Sequence, residues 1–200
     1  LNNSLAKKLC MVFGCTGQDG SLISNSLLKQ GYEVVGISRS KHPDNKFHRT
    51  LGIQKSFEIK QIGPGSDLLS YQNIIESYKP DEIYNLSAQS SVGLSFKDPY
   101  SSINSIYQLT LYILEACRSI EFEGKIFFAG SSEIFGETQG PADINHPRNA
   151  LSPYAHAKEA SMNLVLQYRN LYNLKCSTGV LFNHVSNLKS DQNVIPKIKF

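Results

Sequence analysis

Short apolar runs alternate with longer stretches of helical periodicity along the chain. Short runs rich in apolar residues predict strands at 8–13, 32–37, 57–62, 81–86, 125–129 and 175–181, and the run at 125–129 is almost wholly apolar. Apolar residues that recur at helical spacing predict helices at about 22–30, 69–78, 99–120 and 154–172. Strands that alternate with helices in this way predict an α/β fold, with a doubly wound parallel sheet and helices on both faces.

A glycine-rich loop follows the first apolar run. Gly14, Gly17 and Gly20 are spaced three apart, directly before the first predicted helix. Backbone N–H groups at such a turn point toward a bound pyrophosphate, and the helix dipole favours its negative charge. Strand, loop, helix and second strand close within about thirty residues, the size of one βαβ unit. This context predicts a Rossmann-like dinucleotide site.

The residues after the second strand favour NADP over NAD. An Asp or Glu about 20 residues beyond the glycines would bind the ribose 2′-hydroxyl of NAD. This chain instead carries Ser38-Arg39-Ser40-Lys41, and its first acid there is Asp44. Arg39 and Lys41 would pair with a 2′-phosphate, which a carboxylate would repel. The alternative is a solvated basic loop without a ligand.

Polar residues also follow the third and fourth strands. Asp67 would accept a hydrogen bond from the adenine amino group, or would cap the next helix. Residues 87–91 are small and polar, and they follow the carboxyl end of a strand, where open α/β sheets bind ligands. Both segments therefore belong to the predicted cofactor site.

Four residues near the fifth strand and the last helix suggest catalysis. Tyr154 and Lys158 lie four apart on one helix face. An ammonium beside a phenol lowers the phenol's pKa, and a phenolate can take a proton from a substrate hydroxyl. Ser131 and Glu133 follow the fifth strand and should reach the same sheet edge. Singly, each of these residues is a common surface, loop or cap residue. Their coincidence at one edge favours a catalytic site.

Composition excludes several other classes of function. The net charge of +3 is small and the basic residues are scattered, so we expect no nucleic-acid partner. No apolar run approaches the length of a membrane span, and no secretory signal is visible. The four cysteines show no metal-ligand spacing. We therefore expect no metal site, no membrane partner and reduced thiols in a cytoplasmic protein.

Five motifs spread over most of the chain carry a family resemblance. They are TGQDGS at 16–21, PDEIYNLSAQSSV at 80–92, SSEIFG at 131–136, SPYAHAK at 152–158 and LFNH at 181–184. Together they resemble the extended short-chain dehydrogenase/reductase family and, within it, the GDP-mannose 4,6-dehydratases.

The resemblance implies a reaction and a set of contacts. NADP would carry a hydride from C4 of a nucleotide sugar, GDP-mannose by preference, and return it to C6 as water leaves. Tyr154 would deprotonate the C4 hydroxyl, Ser131 would hold the C4 oxygen, and Glu133 would remove the C5 proton. The implied cofactor contacts are Gly14, Thr16, Gly17, Gln18, Asp19, Gly20, Arg39, Asp67, Leu68, Leu86, Ser87, Ala88, Gln89, Ser90, Lys158, His184 and Lys189. The implied substrate contacts are Ser90, Ser131, Glu133, Asn183 and Lys197.

The chain also departs from the family pattern. Arg39-Ser40 stands where the family has two arginines, and of residues 183–189 only Asn183, His184 and Ser186 match the family's motif. An epimerase or 4-reductase of the same fold, or a non-catalytic NADP-binding relative, is the alternative function. Glu133 favours dehydration, because epimerases and reductases need no base at C5. Retention of Tyr154 and Lys158 argues against a non-catalytic relative.

The expected organisation is one large domain with the start of another. Residues 1–182 would form the NADP-binding domain, and residues 183–200 would begin a substrate-binding lobe that mostly lies beyond this chain. The helices near 103–119 and 154–172 are apolar over much of their circumference. In the resembled family these helices pair across a dimer, so a homodimer or homotetramer is expected.

Overall fold

The described chain folds around one parallel β-sheet. The computed structural model describes residues 7–63, 65–184, 186 and 188. The strands in this part are β1 (Leu9–Phe13), β2 (Glu33–Ser38), β3 (Glu58–Gln61), β4 (Glu82–Asn85), β5 (Lys125–Ala129) and β6 (Lys175–Gly179). Every pairing is parallel and the order is β3-β2-β1-β4-β5-β6. The predicted doubly wound sheet is confirmed.

Helices connect the strands. They are α1 (Gln18–Lys29), α2 (Lys46–Leu51), α3 (Leu68–Tyr78), α4 (Val92–Lys97), α5 (Pro99–Ile103), α6 (Leu109–Ser119) and α7 (Pro153–Tyr172). A π-helical segment, Asn104–Gln108, joins α5 to α6, and a 3₁₀ turn spans Ser132–Phe135. The predicted single helix at 99–120 is therefore interrupted. The short helices α2 and α4 and the 3₁₀ turn were not predicted, because so few residues establish no helical period.

Local chemistry sets the ends of the longer helices. Gly31 follows α1 at a φ of 84°, a left-handed conformation that glycine adopts without strain. Ser152 caps α7 by accepting a hydrogen bond from the Ala155 N–H at 3.1 Å, and Pro153 occupies the first helical turn. These signals place Tyr154 in the first turn of α7.

Strand β1 lies at the centre of the core. Cys10, Met11 and Val12 are fully buried, because helices cover both faces of the sheet. Met11 packs into the larger core cluster on one face, and Cys10 and Val12 pack with Leu27 of α1 on the other. The chain reverses its winding direction between β1 and β4, and open α/β sheets bind ligands outside the strand ends at such a point.

Candidate active site

A cavity of about 390 Å³ opens at the carboxyl ends of β1, β2 and β4. Its lining residues are Gly14, Thr16, Gly17, Ile37, Ser38, Arg39, Ser40, Pro43, Asp44, Lys46, Leu86, Ser87 and Ala88. The glycine loop, the end of β2 and the loop after β4 therefore meet around one space. Seven predicted cofactor contacts line it: Gly14, Thr16, Gly17, Arg39, Leu86, Ser87 and Ala88.

The three loop glycines differ in the space that a side chain would find at each position. A Cβ on Gly14 would lie 2.8 Å from the backbone of Leu86 and Ser87, and its φ is 78°. A Cβ on Gly20 would lie 2.1 Å from the Gly14 carbonyl oxygen. Packing within the protein alone requires glycine at these two positions. Gly17 has a φ of −71°, and a Cβ there would meet only the Gly14 oxygen at 3.4 Å.

Gly17 is the residue that leaves space for a ligand. It is the N-cap of α1, and no side chain caps that helix. The first-turn N–H groups of a helix have no partner within the helix, and they favour a bound anion. The geometry therefore fits a phosphate at the start of α1.

A buried histidine attaches α2 to the glycine loop. His48 is 1% exposed, and its Nε2 lies 2.8 Å from the carbonyl oxygen of Cys15. The ring also packs edge-on against Phe57. This contact brings Asp44 and Lys46 to the cavity wall. Lys46 was not predicted to line this site; Gly52, which ends α2 at a φ of 70°, was the available signal for a helix there.

Several predicted contacts lie away from this cavity. Asp67 caps α3, accepting from the Ser70 N–H at 3.0 Å and the Ser70 hydroxyl at 2.8 Å, so of its two expected roles the cap is observed. Leu68 is the first residue of α3. Neither residue is among the described residues that line the cavity, and Lys41 is not among them either.

Asp19 and His184 contact each other. His184 Nε2 lies 2.9 Å from Asp19 Oδ1, and its Nδ1 lies 2.7 Å from the Phe182 carbonyl oxygen. The carbonyl and then the carboxylate raise the pKa of His184. The pair joins α1 to the segment that follows β6, beside Gln18, whose amide donates to Asp19 at 3.3 Å.

The loop after β4 is held by buried polar groups. Asn85 is 2% exposed; its amide donates to the Thr110 hydroxyl at 3.2 Å and its oxygen accepts from the Ser87 N–H at 3.3 Å. The Gln89 N–H donates to Ser105 in the π-helical segment at 3.4 Å. The interrupted helix thus presents hydroxyls that orient this loop, which ends in the exposed Ser90.

The predicted catalytic residues come together beyond β5. Ser131 caps the 3₁₀ turn by accepting from the Glu133 N–H at 3.3 Å. Ser131 and Glu133 both lie close enough to Tyr154 to influence its pKa. The Lys158 ammonium lies 5.8 Å from the centre of the Tyr154 ring. All four expected residues are therefore neighbours at the carboxyl edge of the sheet.

The electrostatics of this group differ from the expectation. Burial raises the pKa of Tyr154; hydrogen bonding by Ser131 opposes this, and the Glu133 charge adds to it. Lys158 donates to the Ala129 carbonyl at 2.7 Å, and burial lowers its pKa to about 8. The prediction that Lys158 lowers the phenol's pKa is wrong here, because desolvation dominates and the ammonium is directed at the strand carbonyl.

The remaining predicted residues lie near or beyond the end of the described chain. Asn183 is exposed after β6, whereas Lys189 and Lys197 lie outside the described residues.

Within 7–63, 65–184, 186 and 188, no group of three or more His, Cys, Asp or Glu residues could hold a metal ion. Over the same ranges, no helix combines the length and the apolar character that a membrane crossing requires.

Known proteins resemble this chain in sequence and in fold. Residues 11–199 match the sequence profile of the GDP-mannose 4,6 dehydratase family. GDP-mannose 4,6 dehydratase 1 of Arabidopsis thaliana is 36% identical over 202 residues, which cover 96% of this chain and 56% of that protein. GDP-mannose 4,6-dehydratase of Vibrio cholerae is 36% identical over 200 residues, covering 96% of this chain and 54% of that protein.

The structural comparison gives the same fold. UDP-glucose 4-epimerase of Thermus thermophilus, solved in complex with NAD, superposes with a TM-score of 0.76 at 26% identity. The match covers 85% of this chain and 53% of the epimerase. The chain spans about half the length of the curated relatives it matches. On the match over residues 11–199, the chain belongs to the GDP-mannose 4,6 dehydratase family.

Proposed function

We propose that this chain is the cofactor-binding and catalytic part of a GDP-mannose 4,6-dehydratase, an NADP-dependent lyase. The observation that carries the proposal is the grouping of Ser131, Glu133, Tyr154 and Lys158 at the sheet edge. The glycine-loop cavity lies along the same edge, so one extended dinucleotide could reach both. Family membership gives the substrate class.

The residues of the cavity fit a nicotinamide dinucleotide. Gly17 leaves open the space over the start of α1 that a side chain would fill. The Asn45 Oδ1 atom is buried without a hydrogen-bond partner among the described residues. Asn45 lies between Asp44 and Lys46, which both line the cavity.

Arg39 supports NADP as the dinucleotide. It directly follows β2 and lines the cavity, at the position where an acid would select NAD. A guanidinium pairs well with a phosphate, because its fork of donors matches the phosphate oxygens. The related epimerase was solved with NAD. The preference of this chain for NADP is therefore inferred from its own residues and not from that neighbour.

Tyr154 is the group that exchanges a proton with the sugar C4 hydroxyl, with Ser131 holding the C4 oxygen. When bound, the oxidised nicotinamide supplies a positive charge and takes up and later returns a hydride. The raised pKa of Tyr154 means that proton removal needs positive charge near the phenol. Lys158 lies 5.8 Å from the centre of the Tyr154 ring but does not lower the pKa of Tyr154 in the cofactor-free protein, so that charge would come with the bound cofactor.

Glu133 favours dehydration over epimerisation. Elimination of water requires removal of the C5 proton once C4 carries a carbonyl, and a carboxylate can act as that base. Glu133 lies on the 3₁₀ turn capped by Ser131 and is close enough to Tyr154 for its charge to act on the phenol. An epimerase or a 4-reductase needs no base at C5.

The whole protein has two parts in this proposal, a cofactor domain and a substrate lobe. Residues 1–182 form the cofactor domain and residues 183–200 begin the substrate lobe, which includes the expected substrate contacts Asn183 and Lys197. Exposed apolar side chains on α7, among them Leu166 and Leu171, support self-association as a homodimer or homotetramer. The family relatives are about twice the length of this chain, which supports a further lobe.

The test is a product assay on the full-length protein. Incubation with GDP-mannose and NADP⁺ should give a 4-keto-6-deoxy sugar nucleotide with no net reduction of the cofactor. UDP-glucose serves as the control substrate, because an epimerase would convert it without loss of water. Well-folded, NADP-bound protein that forms no keto product from GDP-mannose would rule out the dehydratase.

A further inference from the structure

Two basic residues from different elements line the same cavity. Arg39 follows β2, and Lys46 begins α2. Ser40 lies between them in the cavity wall. A site for a ribose 2′-phosphate needs cations near the end of β2, because the adenosine ribose of a Rossmann-bound dinucleotide lies there.

The position of Lys46 is fixed by a buried contact. The hydrogen bond between His48 and the Cys15 carbonyl holds α2 against the glycine loop. The fully buried Cys15 anchors the other side of this contact. A shift of α2 would break a buried hydrogen bond, so Lys46 stays at the cavity wall although its own side chain is exposed.

Asp44, the acidic residue in the cavity wall, contacts a cationic side chain and a backbone N–H. Asp44 lies 3.6 Å from Arg49 of α2 and accepts from the Lys46 N–H at 3.0 Å. These contacts offset the repulsion that its carboxylate would exert on a phosphate. The Lys46 ammonium rests 5.0 Å from the Phe47 ring centre, an exposed contact weak enough to be exchanged for a phosphate.

We propose that Lys46 is the second cation of a 2′-phosphate site formed with Arg39. The inference rests on the proposed binding of NADP and names the residue that decides it. Lys41, which sequence alone would select, has no part in the site. Selectivity for the phosphorylated ribose is thus carried partly by α2 and not only by the end of β2.

Binding of adenosine nucleotides to the full-length protein tests this without turnover. Isothermal titration would compare 2′,5′-ADP, 3′,5′-ADP and 5′-AMP on the wild type, Lys46→Met and the matched control Lys41→Met. We expect Lys46→Met to weaken 2′,5′-ADP about tenfold, the effect of losing one charge-assisted contact, and to leave 5′-AMP unchanged. Lys41→Met should change neither affinity.

Three results would overturn the inference. In the first, Lys46→Met and Lys41→Met have the same affinity for 2′,5′-ADP. In the second, the wild type binds 3′,5′-ADP with the same affinity as 2′,5′-ADP. In the third, the wild type binds 5′-AMP with the same affinity as the two ADP isomers. The first removes the role of Lys46, and the others remove the 2′-phosphate site. None bears on formation of the keto product from GDP-mannose. Conversely, intact selectivity without keto product would contradict only the dehydratase.

Discussion

The ammonium of Lys158 donates a hydrogen bond to the carbonyl oxygen of Ala129 at 2.7 Å. Ala129 ends β5 and Lys158 lies one turn after Tyr154 on α7, so the contact ties α7 to the sheet. Lys158 is 5% exposed, and its pKa is lowered to about 8 because burial penalises the charge. Keeping Lys158 protonated in the folded protein therefore costs free energy.

Replacing Lys158 by methionine should change how stability depends on pH. Between about pH 8 and the ordinary value of 10.5, the unfolded chain binds the lysine proton and the folded chain does not, so the contribution of Lys158 to stability rises with pH. Lys158→Met should lack this contribution. Between neutral pH and pH 10.5, the free energy of unfolding of the wild type should therefore increase by about 3 kcal/mol relative to that of the variant. Urea unfolding of cofactor-free protein at both pH values measures it.

Lys175→Met is the matched control for that measurement. Lys175 also donates to a backbone carbonyl, that of Glu123 at 3.0 Å, but it is exposed. Its loss should leave the pH dependence of the wild type unchanged. Parallel pH profiles for the wild type and Lys158→Met would show that burial does not penalise the Lys158 charge.

Glu133→Gln should block water loss and spare oxidation at C4. The amide cannot accept the C5 proton, so the rate of keto-deoxy product formation should fall by about 10² to 10⁴. Reduced cofactor should then accumulate, as followed by its absorbance. Glu137→Gln is the control, because Glu137 is exposed just beyond the 3₁₀ turn. Full product formation by Glu133→Gln would refute its assignment as the base.

Alanine at Gly17 and Gly20 should have opposite consequences. Gly20→Ala would bring a Cβ to 2.1 Å from the Gly14 carbonyl oxygen, and overpacking of this kind costs about 1–3 kcal/mol of stability. Gly17→Ala should leave unfolding within about 0.5 kcal/mol of the wild type while weakening NADP binding. Urea unfolding and calorimetric titration separate the two effects. Unchanged NADP affinity in Gly17→Ala would mean that no phosphate approaches this position.

The contact between Asp19 and His184 should contribute more stability in acid than in base. The pKa of His184 is raised, so its contribution is complete below the ordinary value of 6.5 and is lost as pH rises through the folded value. Both side chains are more than one-third exposed, so solvent screening limits the coupling to about 0.2–1 kcal/mol. A double-mutant cycle with Asp19→Asn and His184→Gln, at about pH 6 and about pH 8.5, measures it. Equal coupling at both values would contradict an ionic contact.

The elements with continuous patterns were predictable from sequence. Strand β5 was predicted with its observed bounds, and α7 to within one residue. The apolar run of a buried strand and the apolar repeat of a long helix are both visible in the sequence. The π-helical segment Asn104–Gln108 has no such signal. It adds one residue to a turn without changing the apolar pattern, and its role depends on the hydrogen bond that Ser105 accepts from Gln89 in the distant loop after β4.

The sequence by itself determined the sheet, the glycine loop and the residue types at its edge, since these depend on local period and turn chemistry. Only the tertiary structure decided which polar groups are partners. Lys158 donates to a strand carbonyl and does not lower the pKa of Tyr154, and Lys46 lines the glycine-loop cavity whereas Lys41 does not. Burial sets the first outcome and a contact between His48 and Cys15, 33 residues apart, sets the second. Desolvation and long-range contacts arise only when the chain is packed, so they leave no local pattern to read.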